Sequence, residues 1–116
     1  MDFGTLIRQT REGLAEQDRT FSLRQLSHRV GIQPTYLSKI ERGELPPPSE
    51  ATITKLSAEL DLDPDVMLAM AGKVSSDLQR IICARPELFS KLLRELKAVP
   101  DHAVLSVIRE VTDGDW

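Results

Sequence analysis

A chain of 116 residues, 41% hydrophobic and 28% charged, has room for one compact domain, or a small domain with an accessory element. No apolar run approaches the ~20 residues of a membrane span, and the start MDFGTLIRQTREG lacks the basic-then-apolar layout of a secretory signal. A single cysteine excludes an internal disulfide, and no Cys/His cluster has zinc-ligand spacing. A cytoplasmic protein with no metal or cofactor is therefore expected. The net charge of −3 is unevenly spread. Residues 1–48 carry seven Arg/Lys against six Asp/Glu, and residues 49–116 carry eight against twelve.

Phe3, Leu6, Ile7 and Leu14, with Thr10 between them, predict a first helix over roughly residues 3–17, with Arg8, Arg11, Glu12 and Glu16 on its outer side. Gln17 to Thr20 form a polar connection. Phe21 then stands where a hydrophobic staple would anchor the start of the next helix, directly before Ser22.

The most informative stretch is SLRQLSHRVGIQPTYLSKIERG, residues 22–43. Ser22 followed three residues later by Gln25 is a capping-box pattern, and Leu23, Leu26 and Val30 then fall on one helical stripe. Gly31 ends that helix, because a position just past a helix end often needs positive φ. Pro34 suits a first helical position, and Leu37 and Ile40 supply the inner stripe of a second short helix. Two short helices joined by a tight glycine turn make a helix-turn-helix, whose second helix can lie in the DNA major groove. Small Ser27 permits the close crossing that such a pair requires.

The segment YLSKIERGELPPPS resembles the third helix and following loop of the Xre, or Cro/C1, family of phage-repressor-like DNA-binding domains. The resemblance spans residues 3 to about 71 and is strongest from 21 to 68. It implies a five-helix lambda-repressor-like domain, and a pairing of Arg11 with Glu41 that ties the first helix to the recognition helix. The connection at 17–20 is longer than that family's commonest form, implying an extra turn on the first helix.

Beyond the motif, Gly43 ends the recognition helix and Pro46-Pro47-Pro48 enforce an extended loop. Ser49 caps a fourth helix with Ile53, Leu56 and Leu60 inward. Asp63-Pro64 begins a fifth through Val66, Met67, Leu68 and Met70. Gly72-Lys73 is the expected joint, dividing a DNA-binding domain at 1–71 from a helical dimerisation or interaction region at 72–116. There, Ser75 or Ser76 caps a helix carrying Leu78, Ile81 and Ile82. Pro86 starts another with Leu88, Phe89, Leu92, Leu93 and Leu96. Pro100-Asp101 introduces a third with Val104, Leu105, Val107, Ile108 and Val111. These stripes are too wide and aliphatic for helices facing water on most sides. About forty residues cannot easily close a core alone, so a partner surface is expected. Leu88, Phe89, Leu92, Leu93 and Leu96, with Val104, Leu105 and Ile108, are the candidate dimer interface. Cys83 reads as a small core residue, Met67 and Met70 as packing, and His28 and His102 as outer-face residues. Trp116 is either a frayed end or an anchor in the dimer seam.

An all-α DNA-binding protein needs base-reading side chains at the front of its recognition helix and phosphate donors around it. By position these are Gln33, Thr35, Tyr36 and Lys39 for bases, and Ser22, Arg24, Ser38 and Arg42 for phosphates. Gln33 can pair with adenine, Lys39 can donate to guanine, Thr35 can press its methyl on thymine, and the Tyr36 hydroxyl can reach a phosphate. The expected function is a transcriptional regulator, a homodimeric repressor on a near-palindromic stretch of double-stranded DNA. The alternative is an antitoxin-like or adaptor protein whose C-terminal helices bind a different protein. No Ser/His/Asp constellation, glycine-rich phosphate loop or carboxylate pair points to catalysis.

Overall fold

The computed structural model describes residues 1–116. It is all-helical: α1 Phe3–Ala15, a 3-10 turn Arg19–Phe21, α2 Leu23–Val30, α3 Pro34–Glu41, α4 Glu50–Leu60, α5 Pro64–Met70, α6 Ser76–Ala84, α7 Pro86–Leu96 and α8 Asp101–Asp113. Two compact units divide it, Met1–Ser76 and Asp77–Trp116.

In the first unit, four of the five helix starts are closed by a side-chain cap. Asp2, Ser22, Ser49 and Asp63 cap α1, α2, α4 and α5 by accepting the N–H of Thr5, Gln25, Thr52 and Asp65, which satisfies donors that a helix start leaves free. Gly31 closes α2 at φ +84°, where a Cβ would be strained. Phe3 and Ile7, Leu26 and Val30, Leu37 and Ile40, then Ile53, Leu56, Leu60, Met67 and Leu68 form one buried core. Ser27 of α2 is fully buried, and its hydroxyl donates to Leu23 O at 2.6 Å. That bond inside its own helix lets a hydroxyl stand where a methyl would otherwise go. Phe21 packs half-buried against the core.

Three expectations need correction. The first helix gains no extra turn: it stops at Ala15, and Asp18 starts the separate 3-10 turn by accepting from both the N–H and the hydroxyl of Thr20. Leu14 is exposed, because the apolar stripe of α1 is buried only over its first two turns. In α5, Met67 and Leu68 are buried while Val66 and Met70 are exposed, since so short a helix turns only one side inward.

The segment after α5 stays tied to the first unit. Lys73 Nζ donates to Pro48 O at 2.9 Å, and the N–H and hydroxyl of Ser76 both reach the Glu50 carboxylate. The compact unit accordingly runs five residues beyond Ala71, to Ser76.

The second unit has helices but no core. Neither α7 nor α8 holds a buried residue, and Leu88, Leu92, Leu93, Leu105, Ile108 and Val111 are exposed. Phe89, Leu96 and Val104 are half-buried. Cys83 is exposed rather than in a core, because α6 has no buried face to place it on. Trp116 is exposed and folds back to donate its indole N–H to Val111 O at 2.9 Å.

Candidate nucleic-acid interface

Helices α2 and α3 meet across the turn Gly31–Gln33, and their apolar sides are consumed by the core. Arg24, Gln25 and His28 of α2 and Thr35 and Lys39 of α3 are thereby left on the outside. Two depressions mark this surface. One, about 720 Å³, is lined by Arg24, Gln25, His28, Ile32, Gln33 and Pro34. The other, about 260 Å³, is lined by Leu23, Pro34, Thr35, Ser38, Lys39 and Arg42. Pro34, the first residue of α3, borders both, so the two seats flank the front of that helix.

The start of α3 differs from those of the other four helices in its unit. Gln33 stands at its N-cap in an extended conformation with no side-chain cap bond, and Pro34 has no N–H to satisfy. The side chain of Gln33 therefore points outward, uncommitted to the helix.

Of the residues that sequence assigned to bases, Gln33, Thr35 and Lys39 are exposed. Tyr36 is instead half-buried against the core, because its ring adds to the apolar side of α3. Among the phosphate candidates, Ser22 is committed to capping α2, with its Oγ 3.2 Å from Gln25 N. Arg24 is exposed beside Gln33. Ser38 is half-buried and accepts a bond from Arg42.

Ion pairing sorts the cations. Arg11 grips Glu41 through two bonds, Nε–Oε2 at 2.8 Å and NH2–Oε1 at 2.9 Å, with side-chain exposures of 11% and 3%. The bond to Glu41 pushes the Arg11 pKa above its ordinary value, and the pair fixes α1 to the end of α3. Gly4 completes that junction, since a Cβ there would run into the carbonyls of Ile40 and Glu41. Arg29 turns away from the α2–α3 surface. It pairs with Glu59 at 2.9 Å, donates to Thr20 O and lies 5.0 Å over the Phe21 ring. Arg8 pairs with Glu12 at 3.6 Å and Arg42 with Glu44 at 2.7 Å. The cations of residues 1–48 left without an ion pair are Arg19, Arg24 and Lys39, and the last two line the two depressions.

Outward polar side chains around the uncapped front of the second helix of the pair are what a groove-reading motif requires. A helix-turn-helix family model matches residues 10–67, half of the chain and the whole of this surface. The chain belongs to that helix-turn-helix family, of the Cro/C1 type. Its fold is all-α and lambda-repressor-like, and it is a DNA-binding regulator. No curated protein and no solved structure matches it. No helix is long and apolar enough to cross a membrane.

Sequence reading missed two polar residues of this surface and the partners of two arginines. Gln25 and His28 line the same depression as Arg24 and Gln33. Their signal was available: positions 24, 25 and 28 lie opposite the Leu26/Val30 stripe, so they share the outer face of α2. The engagement of Arg29 by α4 had no local signal, because Glu59 is thirty residues away. The pairing of Arg42 with Glu44 depends on how the chain turns after α3, which a helical pattern does not describe.

Proposed function

We propose that this regulator is a homodimeric repressor that occludes a near-palindromic operator. Each protomer lays α3 in a major groove, and the two half-sites lie about one helical turn, ~34 Å, apart. Gln33, Thr35 and Lys39 read base edges, with Tyr36 offering its hydroxyl from a half-buried ring. Arg24, Ser22, Ser38 and Arg42 hold phosphates. Residues 77–116 supply the self-association, through Leu88, Leu92, Leu93, Leu105 and Ile108 with the half-buried Phe89, Leu96 and Val104.

The observation that carries this reading is the sorting of charge. Within the α2–α3 surface, Arg24 and Lys39 are free of ion pairs on either side of an uncapped helix front. Direct readout needs donors with no internal partner. The experiment is selection of bound sequences from a random duplex pool at near-physiological salt, where weak phosphate binding alone cannot imitate affinity. An inverted repeat with half-sites one turn apart is the expected result, and recovery of no sequence above background overturns the proposal.

A second reading is supported by the uncovered apolar residues of α7 and α8. On that reading the chain is an antitoxin-like or adaptor protein whose second unit binds a different protein. Sedimentation mass of the purified chain separates the two. A dimer favours self-pairing, and a monomer favours the second reading.

A further inference from the structure

We propose that Glu44 is a built-in stand-in for a DNA phosphate, occupying Arg42 in the free protein and lowering affinity until DNA displaces it. The inference rests on the DNA-binding reading above and adds a residue that opposes binding from beside the interface.

At the end of α3, Gly43 (φ +74°) donates its N–H to Ile40 O, and Glu44 donates its N–H to Lys39 O at 2.9 Å. This double closure is a Schellman motif, and it fixes the backbone of Glu44 against the last turn of the helix. A carboxylate there faces the negative end of the helix dipole, an unfavourable position for an anion unless a cation answers it. Arg42 is that cation. Its NH2 lies 2.7 Å from Glu44 Oε2, and its NH1 donates to Ser38 Oγ. The hydrogen bond from Arg42, with the charges of Arg42 and Lys39, draws the Glu44 pKa below its ordinary value.

Arg42, Ser38, Lys39 and Thr35 line one depression beside the front of α3. Two cations and two hydroxyls around a shallow seat match the chemistry of a phosphodiester, which accepts charge-assisted bonds from arginine in forked geometry. In the free protein, the anion that Arg42 holds is the chain's own carboxylate. A forked contact of the Arg42 NH1 and NH2 groups with a phosphate therefore competes with the Glu44 carboxylate, which already holds NH2. The pair is half-exposed, with side-chain exposures of 47% and 54%. Displacing the carboxylate is accordingly low in cost, and Glu44 weakens binding without preventing it.

The test compares wild type, Glu44→Gln, Arg42→Ala and the double variant. Binding to a labelled duplex of mixed sequence is measured over a range of salt, and helix content is checked by circular dichroism. Glu44→Gln is expected to bind about threefold tighter at low salt, as suits a half-exposed pair, with a steeper dependence of log K on log salt. Arg42→Ala should bind more weakly, with a slope shallower by about one counterion. In the Arg42→Ala background, the gain from Glu44→Gln should largely vanish. An equal gain with and without Arg42 reduces Glu44 to a general repulsive charge and overturns the proposal, as does no gain at all. Absence of duplex binding by wild type at any salt is distinguishable from both, and removes the DNA-binding reading together with this inference.

Discussion

Replacing Arg11 with methionine tests whether the junction of α1 and α3 holds the recognition surface in place. The Arg11–Glu41 pair is bidentate and nearly dry, with Glu41 only 3% exposed. At a separation near 4 Å and an effective dielectric of 20, the direct attraction is about 4 kcal/mol, and much of it offsets desolvation of the two charges. Removing the arginine leaves the desolvation of Glu41 unanswered, at a cost of about 3–5 kcal/mol. The first unit, Met1–Ser76, should have a total stability of roughly 4–11 kcal/mol at ordinary per-residue values. Arg11→Met should consequently remove a large part of it. The double variant Arg11→Met/Glu41→Leu eliminates both charges, so its stability should return to within about 1.5 kcal/mol of wild type.

The assay is urea unfolding followed by helical circular dichroism on a chain ending at Ser76, with the full chain measured beside it. The strong prediction is the sign of the coupling: the second substitution rescues the first. A cost below about 1 kcal/mol for Arg11→Met, with additive effects in the double variant, would show a surface-like pair and refute the reasoning.

Four further outcomes follow from the same structure. Gly4→Ala should destabilise by about 1–3 kcal/mol and weaken DNA binding, because its Cβ would displace the α3 backbone at Ile40 and Glu41; urea midpoints and duplex titrations check both. Lys39→Ala and Thr35→Ala should each lose operator preference while keeping the wild-type melting curve, and unchanged selected sequences in both would refute their base-reading role. The chain ending at Ser76 should remain folded by circular dichroism yet bind an inverted repeat much more weakly than the full chain, equal affinities being the contrary result. Acid should weaken the fold partly through Asp18, whose bonds from the Thr20 hydroxyl and N–H hold its carboxyl below the ordinary value. A depressed carboxylate stabilises above the unfolded-state pKa and loses that contribution as pH falls through the lower folded-state value. Asp18→Asn should flatten the acid limb of a stability-versus-pH curve.

Helix-end chemistry and helical periodicity were the parts legible in the sequence. Gly31, Ser22, Pro34, Ser49 and the Asp63-Pro64 pair act within one turn of chain, and each takes a cap, first-turn or stop position at a helix end. The core residues of α2, α3 and α4 followed helical periodicity. Leu14, Val66 and Met70 broke the pattern because periodicity tells which side of a helix is apolar, not how far a neighbouring helix covers it. Asp18 turned an expected extra turn of α1 into a separate 3-10 turn, through hydrogen bonds only two residues long. At the candidate interface, position alone placed Gln33, Thr35 and Lys39 at the surface. The fates of the arginines were not legible, because Arg11, Arg29 and Arg42 are distinguished by acids that approach through tertiary structure or a turn.

That partition of arginines bears on why the proposed reading calls for a second copy. Residues 1–48 exceed neutrality by one positive charge, and four of their seven cations are paired within the chain. Few charges remain to gather phosphates, so sequence-independent affinity should be low and the salt slope shallow. Such a reader spends little time on random DNA. It also gains too little from one half-site to stay there. Joining two readers converts the second half-site into an intramolecular event, multiplying affinity by the effective concentration the connection imposes. This multiplication requires both half-sites to be present at the correct spacing. A weakly charged α2–α3 surface and the coreless, apolar second unit are thus complementary features on the proposed reading. On that reading, adding cations to α2 would raise affinity while eroding discrimination, whereas strengthening the proposed seam of α7 and α8 would raise affinity at paired sites alone.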